Sequence, residues 1–165
     1  MTISATTKSA DDTRELAAAI AGLARPGDTV LLAGDLGAGK TTFAQGFGRA
    51  LGIDGPITSP TFTLVRQYTD GSIPLLHADV YRLDRLHEVI DLGLPELIDE
   101  GAVALIEWGD LAAPALAPDY LEVRIEFGAD GDGADDERRF TLRTVGSRWS
   151  PRASALRSAL DRWSS

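Results

Sequence analysis

An α/β fold, with a mainly parallel sheet flanked by helices and antiparallel hairpin additions, is what this chain predicts. Three observations carry that expectation. TVLLA at 29–33 and AVALIE at 102–107 are short continuous apolar runs, the pattern of strands buried on both faces. Segments with apolar residues at helical spacing alternate with strand-like runs through the first two-thirds of the chain. Two later segments, 121–127 and 138–145, alternate apolar and polar residues as half-exposed strands do. A length of 165 residues fits a single domain over 1–165, and 44% hydrophobic residues can fill its core.

Taken in order, Ile3–Thr6 reads as a short first strand. Ser9 followed by Asp12 has the spacing of a capping box, and Leu16, Ile20 and Leu23 continue a helix over about 10–24. Pro26, Gly27 and Asp28 form a turn before the first buried strand. A glycine-rich loop follows, then a helix from Thr41 to about Leu51 with Phe43, Phe47 and Leu51 on one face. Phe62–Tyr68 and Ile73–Ala78 read as a hairpin around Asp70–Gly71. A helical stretch over 84–99 is broken by Gly93 and Pro95. The acidic segment GADGDGADDE at 128–137 is expected to be a mobile linker between two strands. Residues 151–165 are expected to form a C-terminal helix.

Composition excludes several classes of function. With no cysteine there is no disulfide scaffold, zinc finger, iron–sulfur centre or thiol nucleophile. No apolar run approaches the roughly 18 residues a membrane span needs. The start, MTISATTKSADD, lacks the apolar stretch of a secretory signal, so a cytoplasmic protein is expected. A net charge of −9 argues against a surface built broadly to hold nucleic acid. The charge is uneven: residues 138–165 carry seven arginines and one acid, Asp161. Such a tail either meets an anionic partner or pairs with the acidic body.

Gly34-Asp35-Leu36-Gly37-Ala38-Gly39-Lys40-Thr41 matches G-x-x-x-x-G-K-[ST] in full, between a buried strand and an amphipathic helix. Glycines let backbone N–H groups converge on one anion, and the helix start adds partial positive charge. Lys40 then reaches the β- and γ-phosphates and the Thr41 hydroxyl ligates Mg²⁺. The expected nucleotide-binding run extends to Thr42. With no asparagine in the chain, the Asn-Lys-x-Asp motif of Ras-type guanine recognition is impossible, so ATP is favoured by elimination. These features predict a P-loop NTPase-like fold. Such a site also needs a carboxylate at a neighbouring strand end. Glu107 and Asp79 both qualify, and either is also what an ordinary solvated strand end carries.

Four blocks, GDLGAGKTTFAQG (34–46), TSPTFTLV (58–65), HADVYRLD (77–84) and ALIEWGD (104–110), occur in this order and spacing. Over about 9–127 the chain resembles the TsaE family, also called YjeE, the ATPase of tRNA threonylcarbamoyladenosine biosynthesis. The resemblance implies a small P-loop fold that binds ATP and Mg²⁺ and associates with the TsaB–TsaD pair, which modifies N6 of adenosine 37. It implies contact with tRNA only through that complex, and no membrane. It places phosphate and magnesium contacts on Lys40 and Thr41, and a magnesium ligand on Glu107. It makes Ser59-Pro60-Thr61 a switch near the γ-phosphate, with Asp79 a catalytic carboxylate facing it; Lys40 and Thr61 join Asp79 as catalytic candidates.

Other residues have two readings. His77 and Asp79 lie two apart and share a strand face, as a proton-handling pair or with His77 as a packed core histidine. Trp108 either walls the nucleotide site or packs in the core. Arg82 pairs with a site carboxylate or with a surface acid. A small-molecule kinase on the same fold would carry an arginine-rich lid, yet 50–120 holds only Arg66, Arg82 and Arg85. A regulatory module without hydrolysis would not need two strand-end carboxylates.

Overall fold

The computed structural model describes residues 2–35, 37–60, 65–80, 87–88, 90–108, 119–128 and 136–164. Seven strands form one sheet: β1 (Thr2–Thr7), β2 (Thr29–Gly34), β3 (Val65–Tyr68), β4 (Leu75–Val80), β5 (Val103–Trp108), β6 (Tyr120–Phe127) and β7 (Arg138–Val145). Their order is β1-β7-β6-β2-β5-β4-β3. Strands β6, β2, β5 and β4 run parallel to one another, while β3 pairs antiparallel with β4, and β7 with both β6 and β1. The sheet is therefore mixed rather than mainly parallel. The hairpin strands expected as additions contribute as many pairings as the parallel centre.

Helix α1 (Ala10–Ala21) starts at Ser9, whose Oγ accepts the Asp12 N–H at 3.0 Å. The return bond of the box goes one residue further back, from the Lys8 N–H to Asp12 Oδ2 at 3.0 Å. The helix ends three residues earlier than the apolar spacing predicts. Leu23 and Ala24 donate to Ile20 and Ala21, a tighter winding that turns the chain toward β2. Helix α2 (Lys40–Ala50) packs along α1. A methyl at Gly46 would lie 2.3 Å from the Arg14 carbonyl, so glycine is what lets the two backbones touch. That contact offsets the roughly 1 kcal/mol a mid-helix glycine costs.

Each sheet face is covered by different elements. On one face Leu16, Ile20, Phe43 and Phe47 of α1 and α2 pack on Val30, Leu32, Val103, Leu105 and Phe140. On the other, α3 (Leu94–Asp99) covers Leu31, Leu76, Ala78, Ala104 and Ile106. Strands β2 and β5 are buried on both sides, which is why their sequences are apolar without alternation. Gly93, left-handed at φ 88°, and Pro95 in the first turn restart the chain into α3. Residues 84–86 and 89 of the expected 84–99 helix lie outside the described residues, as do 129–135 of the acidic linker.

The C-terminal segment is not one helix. It is a 3₁₀ turn at Ser150–Arg152, helix α4 (Ala153–Ala159) and a second 3₁₀ turn at Asp161–Trp163. Side-chain contacts override continuous helix here: Trp163 Nε1 donates to Asp12 at 2.7 Å, and the Arg162 guanidinium lies 4.1 Å from the Trp163 ring centre. The tail arginines pair with the acidic body. Arg152 and Arg148 meet Asp28, Arg143 meets Glu122, and Arg162 meets Glu15 and Asp12. Among the described residues no helix is long and apolar enough to cross a membrane.

Candidate functional site

The glycine-rich loop leaves the carboxyl end of β2 and enters α2, at the sheet edge where crevices form in open α/β sheets. Gly37 and Gly39 have φ of 81° and 113°, values that strain any residue with a Cβ. At both positions an added methyl would meet nothing within 4 Å, so backbone strain and not crowding is what favours glycine there. Helix α2 has Gly39 as its N-cap and receives no side-chain cap bond. Its first-turn residues Lys40, Thr41 and Thr42 thus lie at an uncapped, partially positive helix end. The Lys40 ammonium donates to the Gly34 carbonyl at 3.0 Å, folded back along the loop. The Ala38 N–H donates to the Asp35 carbonyl at 3.0 Å and closes the turn. Leu36 lies outside the described residues.

Both candidate carboxylates stand beside this loop on the face that α2 covers. Asp79 of β4 is in register with Glu107 of β5, which is in register with Leu32 of β2. The period of two puts His77, Asp79, Leu105, Glu107 and Leu32 on one face. Asp79 is 8% exposed and Glu107 7%, so neither is the solvated strand end that a bland reading allows. His77 is fully buried, and its Nε2 lies 2.6 Å from Glu107 Oε2. The imidazole is therefore joined across the strands to Glu107. The buried Nδ1 has no hydrogen-bond partner among the described residues.

Ser59 and Pro60 of the expected switch lie just past Ile57, which is buried against α2 and whose carbonyl accepts from Gln45 Nε2 at 3.3 Å. Thr61 and Arg82 lie outside the described residues. Trp108 closes β5 in register with Ala33 and Val80.

One residue at the loop escaped the sequence reading. Arg138, the first residue of β7, donates from Nε to the Ala38 carbonyl at 3.0 Å. It sits 100 positions from Ala38, and no local motif marks it. Only the β6–β7 hairpin, with β6 beside β2, brings it there.

Fold and site together define an α/β protein with a glycine-rich strand–loop–helix unit and two buried carboxylates at one sheet edge. A family model described as Threonylcarbamoyl adenosine biosynthesis protein TsaE matches residues 7–139. The tRNA threonylcarbamoyladenosine biosynthesis protein TsaE of Bacillus subtilis strain 168 is 43% identical over 139 residues, 84% of each chain. That of Streptomyces coelicolor is 44% identical over 140 residues, 82% of this chain and 93% of the relative. A crystal structure of Bacillus subtilis YdiB matches with a TM-score of 0.73 at 37% identity, covering 98% of this chain and 95% of that one. The chain belongs to the TsaE family.

Proposed function

We propose that this protein is an ATP-binding, ATP-hydrolysing subunit that acts with TsaB and TsaD in forming N6-threonylcarbamoyladenosine at position 37 of tRNA, in the cytoplasm. The observation that carries this is the loop at 34–39: left-handed glycines with open space beside them, an uncapped helix start and Lys40, with Asp79 and Glu107 at the carboxyl ends of neighbouring strands. The backbone from Gly34 to Thr42 cradles the phosphates. Lys40 exchanges the Gly34 carbonyl for the β- and γ-phosphates. Mg²⁺ would be held by the Thr41 hydroxyl and Glu107, and when bound it neutralises charge on the phosphate oxygens. Two protein ligands suit this ion, which keeps waters and takes substrate phosphates for the rest of its shell. Asp79 orients or deprotonates the attacking water, and Thr61 closes on the γ-phosphate. Contact with tRNA is indirect, through the complex.

The test is phosphate release by the purified chain, alone and with TsaB–TsaD, with and without tRNA. Slow turnover alone and a changed rate with the partners is expected. An arginine at the developing transition-state charge is worth roughly 10³–10⁵ in rate. Arg138 donates to the Ala38 and Glu137 carbonyls, and the switch segment 50–65 contains no arginine. Rapid turnover indifferent to the partners would point instead to a self-sufficient enzyme.

The two carboxylates are expected to separate by assay. Glu107→Gln keeps shape but loses the anionic oxygen and should raise the Mg²⁺ concentration needed for nucleotide binding by about ten-fold or more, in line with changes around metal sites. Asp79→Asn should leave binding within about two-fold and depress turnover by roughly 10²-fold, the lower range for a lost general base. The reverse pattern would exchange their roles.

A further inference from the structure

Glycines at 37 and 39 make the phosphate loop permissive as well as open. With no Cβ on either side of Ala38, the neighbouring peptide planes can rotate at little steric cost. A trans peptide is planar, so its C=O and N–H point in opposite directions. For the Ala38–Gly39 peptide this is decisive. Turned one way, the Gly39 N–H enters the concavity; turned the other, a carbonyl oxygen enters it and repels phosphate. Nothing in the glycine-rich sequence enforces the first orientation.

Arg138 supplies what the loop lacks. Its Nε–H donates to the Ala38 carbonyl at 3.0 Å, and its NH1 donates to the Glu137 carbonyl at 2.9 Å. The guanidinium carbon lies 5.0 Å from the centre of the Phe127 ring, so the planar group is held on one face as well as along its edge. The side chain is thus a donor carried on β7, held by the Glu137 carbonyl and the Phe127 ring and aimed at one carbonyl of the loop. Ala38 is fully buried, and the bond to its carbonyl is itself part-buried.

We propose that Arg138 is a positioning residue of the phosphate loop: by holding the Ala38 carbonyl outward it aims the Gly39 N–H at the terminal phosphates of a nucleoside triphosphate. This rests on the nucleotide reading above. Arg138 acts through the peptide it holds; phosphate is bound by the loop. A lysine at 138 keeps the charge but loses the planar group that stacks and donates in a fixed direction.

The experiment compares wild type, Arg138→Ala and Arg138→Lys, using a non-hydrolysable ATP analogue with Mg²⁺ for affinity. Melting temperature and the ¹⁵N-glycine amide spectrum are recorded on nucleotide-free protein. Expected is a loss of affinity of roughly ten-fold in Arg138→Ala, the size of one charge-assisted hydrogen bond, with Arg138→Lys also weakened. In the nucleotide-free spectra Gly37 and Gly39 should shift or broaden while most other glycines keep their positions. Affinity within two-fold of wild type in Arg138→Ala, or full rescue by lysine, overturns the positioning role. So does a spectrum altered throughout with a collapsed melting temperature, which marks a residue of general structure. A wild-type chain that takes no nucleotide removes the nucleotide reading together with this inference, whereas wild-type binding with an indifferent Arg138→Ala removes the inference alone.

Discussion

Lys40→Ala is expected to lose measurable ATP binding while keeping its melting temperature within a few degrees. The loop leads into the uncapped start of α2, which supplies a partial positive charge of about half an electron. Against it stand the several negative charges of a triphosphate. Lys40 is the one full positive charge within the loop, and its ammonium already lies along it, 3.0 Å from the Gly34 carbonyl. Arg138, the nearby cation, is directed at the Ala38 carbonyl. Removing one partner of a hydrogen-bonded charge pair costs about 2–5 kcal/mol or more, so affinity should fall by at least about 30-fold. Lys40 is half-buried at the start of α2, outside the apolar core around Phe43 and Phe47, so stability should change little. Calorimetric titration with ATP and Mg²⁺ checks this. Unchanged affinity would remove the loop from the nucleotide site, whatever the family resemblance implies.

What was legible in the chain is what physics writes locally. Strands β2 and β5 are buried on both faces and so appear as unbroken apolar runs. Strands β6 and β7 alternate, and β7 has the predicted bounds of Arg138–Val145. The glycine-rich loop between β2 and α2 is legible because its glycines and the flanking strand and helix patterns fall on consecutive residues. Pairings across the sheet are not written that way. The period of two placed His77 on the same face as Asp79, but its hydrogen bond crosses to Glu107, through a β4–β5 register no single sequence discloses. Arg138 joins the loop only because a hairpin 100 residues on returns beside β6. The C-terminal segment misled because its helical pattern is real but short. Contacts of Arg152, Arg162 and Trp163 with distant acids break it into three pieces. Asp28 misled most. Beside Pro26 and Gly27 it reads as a turn residue, yet it is wholly buried and receives the two tail arginines Arg148 and Arg152.

Asp28→Ala is accordingly expected to destabilise the fold by about 3–5 kcal/mol, the cost of leaving a buried charge without its partner. The stranded group is Arg152, 6% exposed, whose NH1 and NH2 donate to the two Asp28 oxygens at 2.6 and 2.8 Å. Its guanidinium also lies 4.1 Å from the Trp149 ring centre, so the substitution loosens α4 and the aromatic packing beneath it. The same bonds set a pH dependence. Burial raises the Asp28 carboxyl, but the Arg152 fork, the Arg25 N–H, the Arg152 charge and Arg148 outweigh it and hold the group below the usual carboxylate value of 3.8. A carboxyl depressed in the folded state contributes stability that is fully present above the unfolded value near 4, and that is lost as pH falls through the folded one. Asp12, also depressed, adds in the same direction. Denaturant unfolding from pH 7 down to pH 2 should therefore show a gap between wild type and Asp28→Asn that is constant above about pH 5 and narrows below pH 4. Asp28 lies at the amino end of β2, opposite the glycine-rich loop proposed to bind nucleotide, so folded Asp28→Asn should bind ATP as wild type does. A gap that widens in acid would mean that Asp28 is not the ionised partner of Arg152, and a lost affinity would mean that the two ends of β2 are coupled.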